Sequence, residues 1–166
     1  RIESAAHAAG SLARILNGLV TALDQTDATP EELAAFADQL VRHTENGKAM
    51  IKLLQIEDVD SQTQGLALLR RVYPHTSNVF ASRLSDPACI SSLMLILQTS
   101  GGSPWALDCP ADQDAIQGFA ALCSECVHFL RLVTREHGDV RMIVTFQDGV
   151  EALLAIVAQA LGAPAC

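Results

Sequence analysis

Apolar and polar positions follow the period of an α-helix along most of this chain. In residues 2–23 the apolar positions recur at helical spacing, and they are Leu12, Ile15, Leu16, Leu19, Val20 and Leu23. Because an α-helix turns once in about 3.6 residues, this spacing places these side chains on one face. No stretch shows the strict alternation that is typical of a half-buried strand. The pattern therefore predicts an all-α protein whose first helix spans residues 2–23.

Start and stop signals divide the rest of the chain into further helices. Thr29 is an N-cap residue, Pro30 suits the first helical position, and two acids follow at the positive end of the helix dipole. These signals predict a second helix that ends near residue 43. Asp58, Asp86 and Asp148 are expected to cap later helices. The other predicted helices span residues 48–55, 58–72, 75–84, 87–98, 112–136 and 140–146, and a last one follows Asp148.

Two blocks of the sequence repeat at nearly the same interval. The first block sets Leu66, Leu69, Arg70 and Val72 against Val127, Leu130, Arg131 and Val133, all 61 residues apart. The second sets Ile90, Leu93, Ile96 and Leu97 against Val150, Leu153, Ile156 and Val157, all 60 residues apart. Two Gly and two Pro predict a loop insertion at residues 99–111, and without it the interval is about the 40–47 residues of armadillo or HEAT repeats. The repeats predict an armadillo/HEAT-like, right-handed solenoid of stacked helices.

Composition and charge narrow the classes of function. Hydrophobic residues make up 49% of the 166 residues and aromatic residues only 4%, which excludes a disordered chain and favours helices over sheets. This length fits one domain over residues 1–166, and the start at Arg1 predicts a piece of a longer protein. The net charge of −8 repels phosphate backbones, so no nucleic acid is expected as a partner. The longest apolar run, residues 150–161, is shorter than the roughly 20 residues of a membrane span, so at most peripheral membrane association is expected.

The cysteines carry the only motif that resembles a metal or redox site. There are five cysteines, an odd number, and their spacing is irregular. This pattern argues against a secreted disulfide framework and predicts that the protein resides in a reducing compartment, the cytosol or the nucleus. Cys123 and Cys126 form a C-x-x-C motif, which can ligate zinc or cycle as a dithiol, with Cys109 and His128 as the other local ligands. The apolar stripe of the helix places both sulfurs on its buried face, which favours core packing. No metal and no cofactor are expected.

A polar cluster lies on the opposite face of the same predicted helix. Ser124, His128, Arg131 and Arg135 recur there at helical spacing, with Glu125 beside them. A serine, a histidine and an acid suggest nucleophilic catalysis, but side chains on one exposed ridge have no oxyanion hole and no pocket that excludes water. We therefore expect no enzyme. Two interpretations stay open: a solvated face, or a ridge that binds a protein partner.

Two residues outside this helix are further candidates for partner binding. Arg70 occupies the repeat position of Arg131, so in a stacked solenoid both should project on the same side. Arginine recognises carboxylates, phosphates and peptide carbonyls, and a plain surface role is the alternative. Trp105 lies in the predicted loop, where it either anchors a partner or folds back over the edge of the core.

Three stretches resemble a known family in their order and spacing. They are Glu45-Asn-Gly-Lys-Ala-Met-Ile-Lys-Leu-Leu54, Leu84-Ser-Asp-Pro-Ala-Cys-Ile-Ser-Ser-Leu-Met-Leu-Ile-Leu97 and Thr134-Arg-Glu-His-Gly-Asp-Val-Arg-Met-Ile-Val-Thr-Phe-Gln-Asp-Gly-Val-Glu-Ala-Leu-Leu-Ala-Ile-Val157. They resemble the armadillo head of the Golgi general vesicular transport factors, long tethers with a globular head and a coiled-coil tail. The resemblance covers about residues 45–98 and 118–157, and residues 99–111 look like an insertion.

The resemblance implies a non-enzymatic, homodimeric tether that captures transport vesicles in ER–Golgi traffic, working with Rab-type small GTPases and SNARE machinery. It implies a cytoplasmic location, peripheral on the Golgi or on vesicles. The chain is shorter than a whole head and contains no heptad tail, so we expect tethering to belong to a parent protein. The alternative is an armadillo-type chaperone or cytoskeletal regulator, of the myosin or formin kind, that binds a protein partner without a vesicle.

Overall fold

The computed structural model describes residues 2–25, 28–41, 49, 51–56, 58–76, 86–102 and 113–160. Its helices are α1 (Ile2–Gln25), α2 (Pro30–Val41), α3 (Val59–Val72), α4 (Pro87–Gly102), α5 (Gln113–Glu136), α6 (Gly138–Phe146) and α7 (Gly149–Ala160), with one 3₁₀ turn at Tyr73–His75. The part of the chain that is described contains no strand, so the prediction of an all-α protein is confirmed there. The solenoid arrangement stays a prediction.

Side-chain caps start α2, α3 and α4 where the sequence places them. At α2, the Glu32 backbone N–H donates to Thr29 Oγ1 over 3.3 Å, and the Thr29 N–H donates to Glu32 Oε2 over 2.9 Å. This reciprocal pair is a capping box, which satisfies backbone donors that the first helical turn leaves without partners. Asp58 accepts from the Ser61 N–H over 2.8 Å at α3, and Asp86 accepts from the Ala88 N–H over 2.8 Å at α4.

The chain divides into two compact units, Arg1–Leu84 and Ser85–Cys166. In the first unit α1 packs along α3, while α2 packs against α3 and the 3₁₀ turn. The middle of α3 is buried almost all round, since residues 65–69 are all buried. From the apolar stripe of α1, Leu16 and Val20 are buried, but Ile15 is 63% exposed because α3 covers only part of that stripe. The single domain over residues 1–166 stays a prediction.

In the second unit α4 is the central helix, and α5, α6 and α7 all pack against it. The core that these helices share is made of Cys89, Ile90, Leu93, Met94, Ile96, Leu97, Leu122, Cys126, Phe129, Leu130, Val133 and Val140. Phe129 is the largest fully buried side chain among the residues of this unit whose burial is described. Apart from it the core is aliphatic or sulfur-containing, as the low aromatic content requires.

Two predicted boundaries in this unit are wrong. Helix α4 continues to Gly102, so residues 99–102 of the predicted loop are helical and residues 103–111 lie outside the described ranges. Two glycines permit a helical end, and the first residue that opposes helix is the one before Pro104. Helix α6 begins at Gly138 rather than at residue 140, and only His137 is extended, with φ −115° and ψ 111°. In the first unit, the predicted helix at residues 75–84 lies outside the described ranges except for residues 75 and 76.

A two-residue turn, Gln147 and Asp148, joins α6 to α7. Asp148 has φ 56°, a left-handed conformation that Asp tolerates better than most residues, and its carbonyl accepts from the Ala152 N–H over 2.9 Å. The Gln147 side chain donates to Ser91 Oγ over 2.8 Å, and the Gln98 side chain donates to the Gln147 carbonyl over 3.3 Å. These bonds hold the turn against α4.

Candidate functional site

Four of the residues that the sequence selects lie together on α5. Ser124, His128, Arg131 and Arg135 are all exposed, and their spacing of i, i+4, i+7 and i+11 aligns them along one side of the helix. We call these four residues the α5 ridge. The opposite side of α5 carries buried residues, among them Phe129, so the helix is anchored in the core while it presents the ridge.

The chemistry of the α5 ridge is that of a cationic, hydrogen-bonding surface. Arg131 and Arg135 bring two guanidinium groups one helical turn apart, and Ser124 and His128 add a hydroxyl and an imidazole. Guanidinium groups bind carboxylates and carbonyl oxygens through planar, paired donors. The half-buried Glu125 lies on the same helix. An arrangement of this kind fits recognition of an acidic or carbonyl-rich surface.

Two further candidates from the sequence, Arg70 and Trp105, lie in other parts of the chain. Arg70 is half-buried on α3 of the first unit, and Trp105 lies outside the described residues. Arg71, the residue after Arg70, forms an ion pair with Asp24. Its Nε donates to Asp24 Oδ1 and a terminal guanidinium nitrogen donates to Asp24 Oδ2, both over 2.6 Å. The hydrogen bond from Arg71 lowers the pKa of the Asp24 carboxyl, and the charge of Arg70 adds to that effect. This part of α3 therefore ties α3 to α1.

The cysteine motif is divided between a half-buried and a buried position. Cys123 is half-buried, whereas Cys126 is buried, and its thiol donates to the Leu93 carbonyl over 3.5 Å. Burial raises the pKa of the Cys126 thiol, and burial with the nearby Asp86 raises that of Cys89 to about 12. Such thiols are poor nucleophiles at neutral pH. Within the described ranges, no three His, Cys, Asp or Glu side chains are grouped so that they could hold a metal ion.

A second candidate surface, formed by apolar side chains of α6 and α7, was not predicted from the sequence. Five large apolar side chains on α6 and α7 are between 48% and 83% exposed, and they are Met142, Phe146, Val150, Leu154 and Val157. We call these residues the α6–α7 apolar face. Met142 and Phe146 are one turn apart on α6, and the other three follow the spacing i, i+4, i+7 along α7. Phe146 and Val150, the members of the two rows that are nearest in sequence, flank the turn of residues 147–148.

The internal repeat explains why this face is unusual. Its residues Val150 and Val157 are the repeat equivalents of Ile90 and Leu97, which are buried in the core of the second unit. The sequence contains a signal that could have revealed this face. Residues 150–158 contain one charged residue, Glu151, so the helix is apolar nearly all round. A helix of that kind is normally covered by other protein on every side. In this structure only one side of α7 is covered.

Comparison with known family models, curated proteins and solved structures finds no match to this chain. None of the helices in the described ranges is long and apolar enough to span a bilayer.

Proposed function

We propose that this chain is a non-enzymatic protein-interaction scaffold that binds its partner through the α5 ridge. One observation carries the proposal: Ser124, His128, Arg131 and Arg135 are exposed in a row on a helix whose other side is fixed in the core. A helix held in this way presents its side chains in a fixed register, which reduces the entropy lost on binding. The partner surface should carry carboxylates or exposed carbonyl oxygens.

The finer proposal is that the scaffold is an armadillo-like solenoid and part of a vesicle-tethering factor in ER–Golgi traffic. The two sequence blocks at intervals of 61 and 60 residues support the solenoid. The resemblance of residues 45–54, 84–97 and 134–157 to the armadillo head of the Golgi general vesicular transport factors supports the tethering role. On this proposal the partners are a Rab-type GTPase or the SNARE machinery, the chain acts at the Golgi or on transport vesicles, and the parent protein is a homodimer.

The test is capture of purified partners by charge-reversed variants. The immobilised chain is offered GTP-loaded Rab-type GTPases of the Golgi and cytosolic SNARE domains, and the bound fraction is measured. Arg131→Glu/Arg135→Glu should weaken capture at least about tenfold, since it replaces two cationic donors by carboxylates. Arg14→Glu is the matched control: Arg14 is exposed, and its guanidinium donates within α1 to the Gly10 carbonyl and to Ser11 Oγ.

The outcomes separate the two parts of the proposal. If the wild-type chain captures neither a GTPase nor a SNARE domain, the tethering role is wrong. If a partner is captured equally by the wild-type chain and by a folded Arg131→Glu/Arg135→Glu variant, the α5 ridge is not the binding surface. Circular dichroism at 222 nm verifies that each variant keeps its helices.

A further inference from the structure

The α6–α7 apolar face concentrates exposed apolar side chains on two consecutive helices. Phe146 alone is 83% exposed, and the other four residues are between 48% and 63% exposed. Side chains of this size present roughly 150–200 Å² each when free, so the face exposes about 500 Å² of mostly apolar surface. That value lies within the roughly 300–600 Å² found for the largest patch of a monomer, and such patches are often functional.

The repeat indicates what shape fits this face. On α4, the equivalent positions Ile90 and Leu97 are covered by packing within the second unit, and α5 is one of the helices that lie on α4. On α7 the spacing of Val150, Leu154 and Val157 forms a ridge that a second helix can pack beside. An amphipathic helix with apolar residues at i, i+4 and i+7 is therefore the matching shape.

The charge around the face selects among possible occupants. Asp139 on α6, Asp148 in the turn and Glu151 on α7 are exposed, and residues 138–160 contain one cation, Arg141, by sequence. The Arg141 guanidinium donates to the Thr134 carbonyl over 3.3 Å and so points toward the end of α5. A second copy of this chain would bring acids against acids and carries a net charge of −8 itself. Anionic lipid headgroups are repelled in the same way.

We propose that the α6–α7 apolar face docks an amphipathic helix of a partner protein, one whose apolar stripe is flanked by Lys and Arg. The apolar stripe would cover Phe146, Val150, Leu154 and Val157, and the flanking cations would face Asp148 and Glu151. This inference goes beyond the proposed function, because it uses a different surface from the α5 ridge and a partner of different chemistry.

The experiment uses designed peptides as probes and fluorescence anisotropy as the readout. The first peptide is a labelled helix of about 18 residues with Leu at i, i+4, i+7 and i+11 and Lys beside the stripe. The second has the same composition in scrambled order, and the third keeps the Leu stripe but replaces Lys by Glu. The chain should bind the first peptide at least about tenfold more tightly than either of the others.

Matched variants locate the binding surface. Phe146→Ser/Leu154→Ser should weaken binding of the Lys-flanked peptide at least about tenfold, because it removes the two most exposed apolar groups of the face. Ile15→Ser is the control: Ile15 is 63% exposed, as Leu154 is, but lies on α1 of the first unit. Should the double variant lose its helical circular dichroism, the isosteric Val150→Thr and Val157→Thr variants replace it. Arg131→Glu should leave binding of the peptide unchanged, which separates this surface from the α5 ridge.

Three results would overturn the proposal. Equal binding of the stripe and scrambled peptides would show that the chain has no helix-binding surface. Loss of concentration-dependent self-association in Phe146→Ser/Leu154→Ser, without any peptide binding, would make a second copy the occupant. Flotation of the wild-type chain with phosphatidylcholine vesicles, lost in the same variant and again without peptide binding, would make a lipid surface the occupant.

Discussion

Gly149 is the position where a single added methyl group should disturb the second unit most directly. It is buried at the start of α7, immediately after the turn from α6. A Cβ atom built on this residue would lie against the Val144 carbonyl oxygen and 2.5 Å from Val144 Cγ1. The carbonyl belongs to the backbone of α6 and cannot move aside as the end of a flexible side chain could.

The expected magnitude follows from the kind of contact. Overpacking a well-filled site costs about 1–3 kcal/mol, and a clash with backbone puts Gly149→Ala in the upper half of that range. The gain in helix propensity is small at the first helical position, where few helical bonds depend on the residue. We therefore expect Gly149→Ala to lower the free energy of unfolding by about 2–3 kcal/mol. For a unit of this size the melting temperature should fall by about 10–20 °C.

Gly18→Ala is the matched control for this prediction. Gly18 is exposed in the middle of α1, and a Cβ atom there would meet nothing within 4 Å. The same substitution should therefore stabilise the first unit by about 0.5–1 kcal/mol, because alanine has less backbone entropy to lose.

Urea unfolding followed at 222 nm measures both variants, and hydrogen exchange with mass spectrometry assigns each change to α1 or to α6 and α7. Gly149→Ala should lower the urea midpoint by about 1 M or more. A Gly149→Ala protein as stable as the wild type would refute the close approach of α7 to the end of α6.

Three further predictions concern an ion pair, a cap and a thiol. Asp24→Asn should lower the urea midpoint at pH 7, and the difference from the wild type should shrink as the pH falls. Arg71 lowers the pKa of the Asp24 carboxyl in the folded state. The ion pair therefore stabilises the fold fully above the unfolded-state pKa of about 4, and this stabilisation is lost as the pH falls through the folded-state pKa. A midpoint difference that is independent of pH would contradict this assignment. Thr29→Ala should cost about 1 kcal/mol in unfolding experiments, since it removes the acceptor of the capping box, and an unchanged midpoint would show that the box does not form. In the native protein, iodoacetamide should label Cys123 faster than Cys126, because Cys126 is buried with a raised pKa; peptide mapping measures the order, and equal rates would argue for an open core.

The candidate surfaces differ in how far the sequence reveals them. The α5 ridge was predictable, since helical spacing alone puts Ser124, His128, Arg131 and Arg135 on one side and Phe129 on the other. Its use by a partner stays a proposal. The α6–α7 apolar face was not predicted, because the pattern of α7 shows that the helix is apolar but not which of its sides lacks a neighbour.

Local chemistry by itself determined the helices and several of their ends. Thr29, Asp58 and Asp86 cap helices through atoms within three residues of themselves, so no distant contact is needed. The predicted end of α4 at residue 98 was wrong, because no single residue there ends the helix. Helix α4 continues to Gly102, through the predicted start of the loop.

Only the tertiary structure decided which apolar positions are covered. Leu97 and Val157 are equivalent in the repeat and alike in chemistry, yet Leu97 is buried and Val157 is about half exposed. The periodicity of a sequence fixes the face on which a side chain lies, because that depends on the turn of its own helix. Whether the face is buried depends on helices far away in sequence, and for α4 these are α5, α6 and α7.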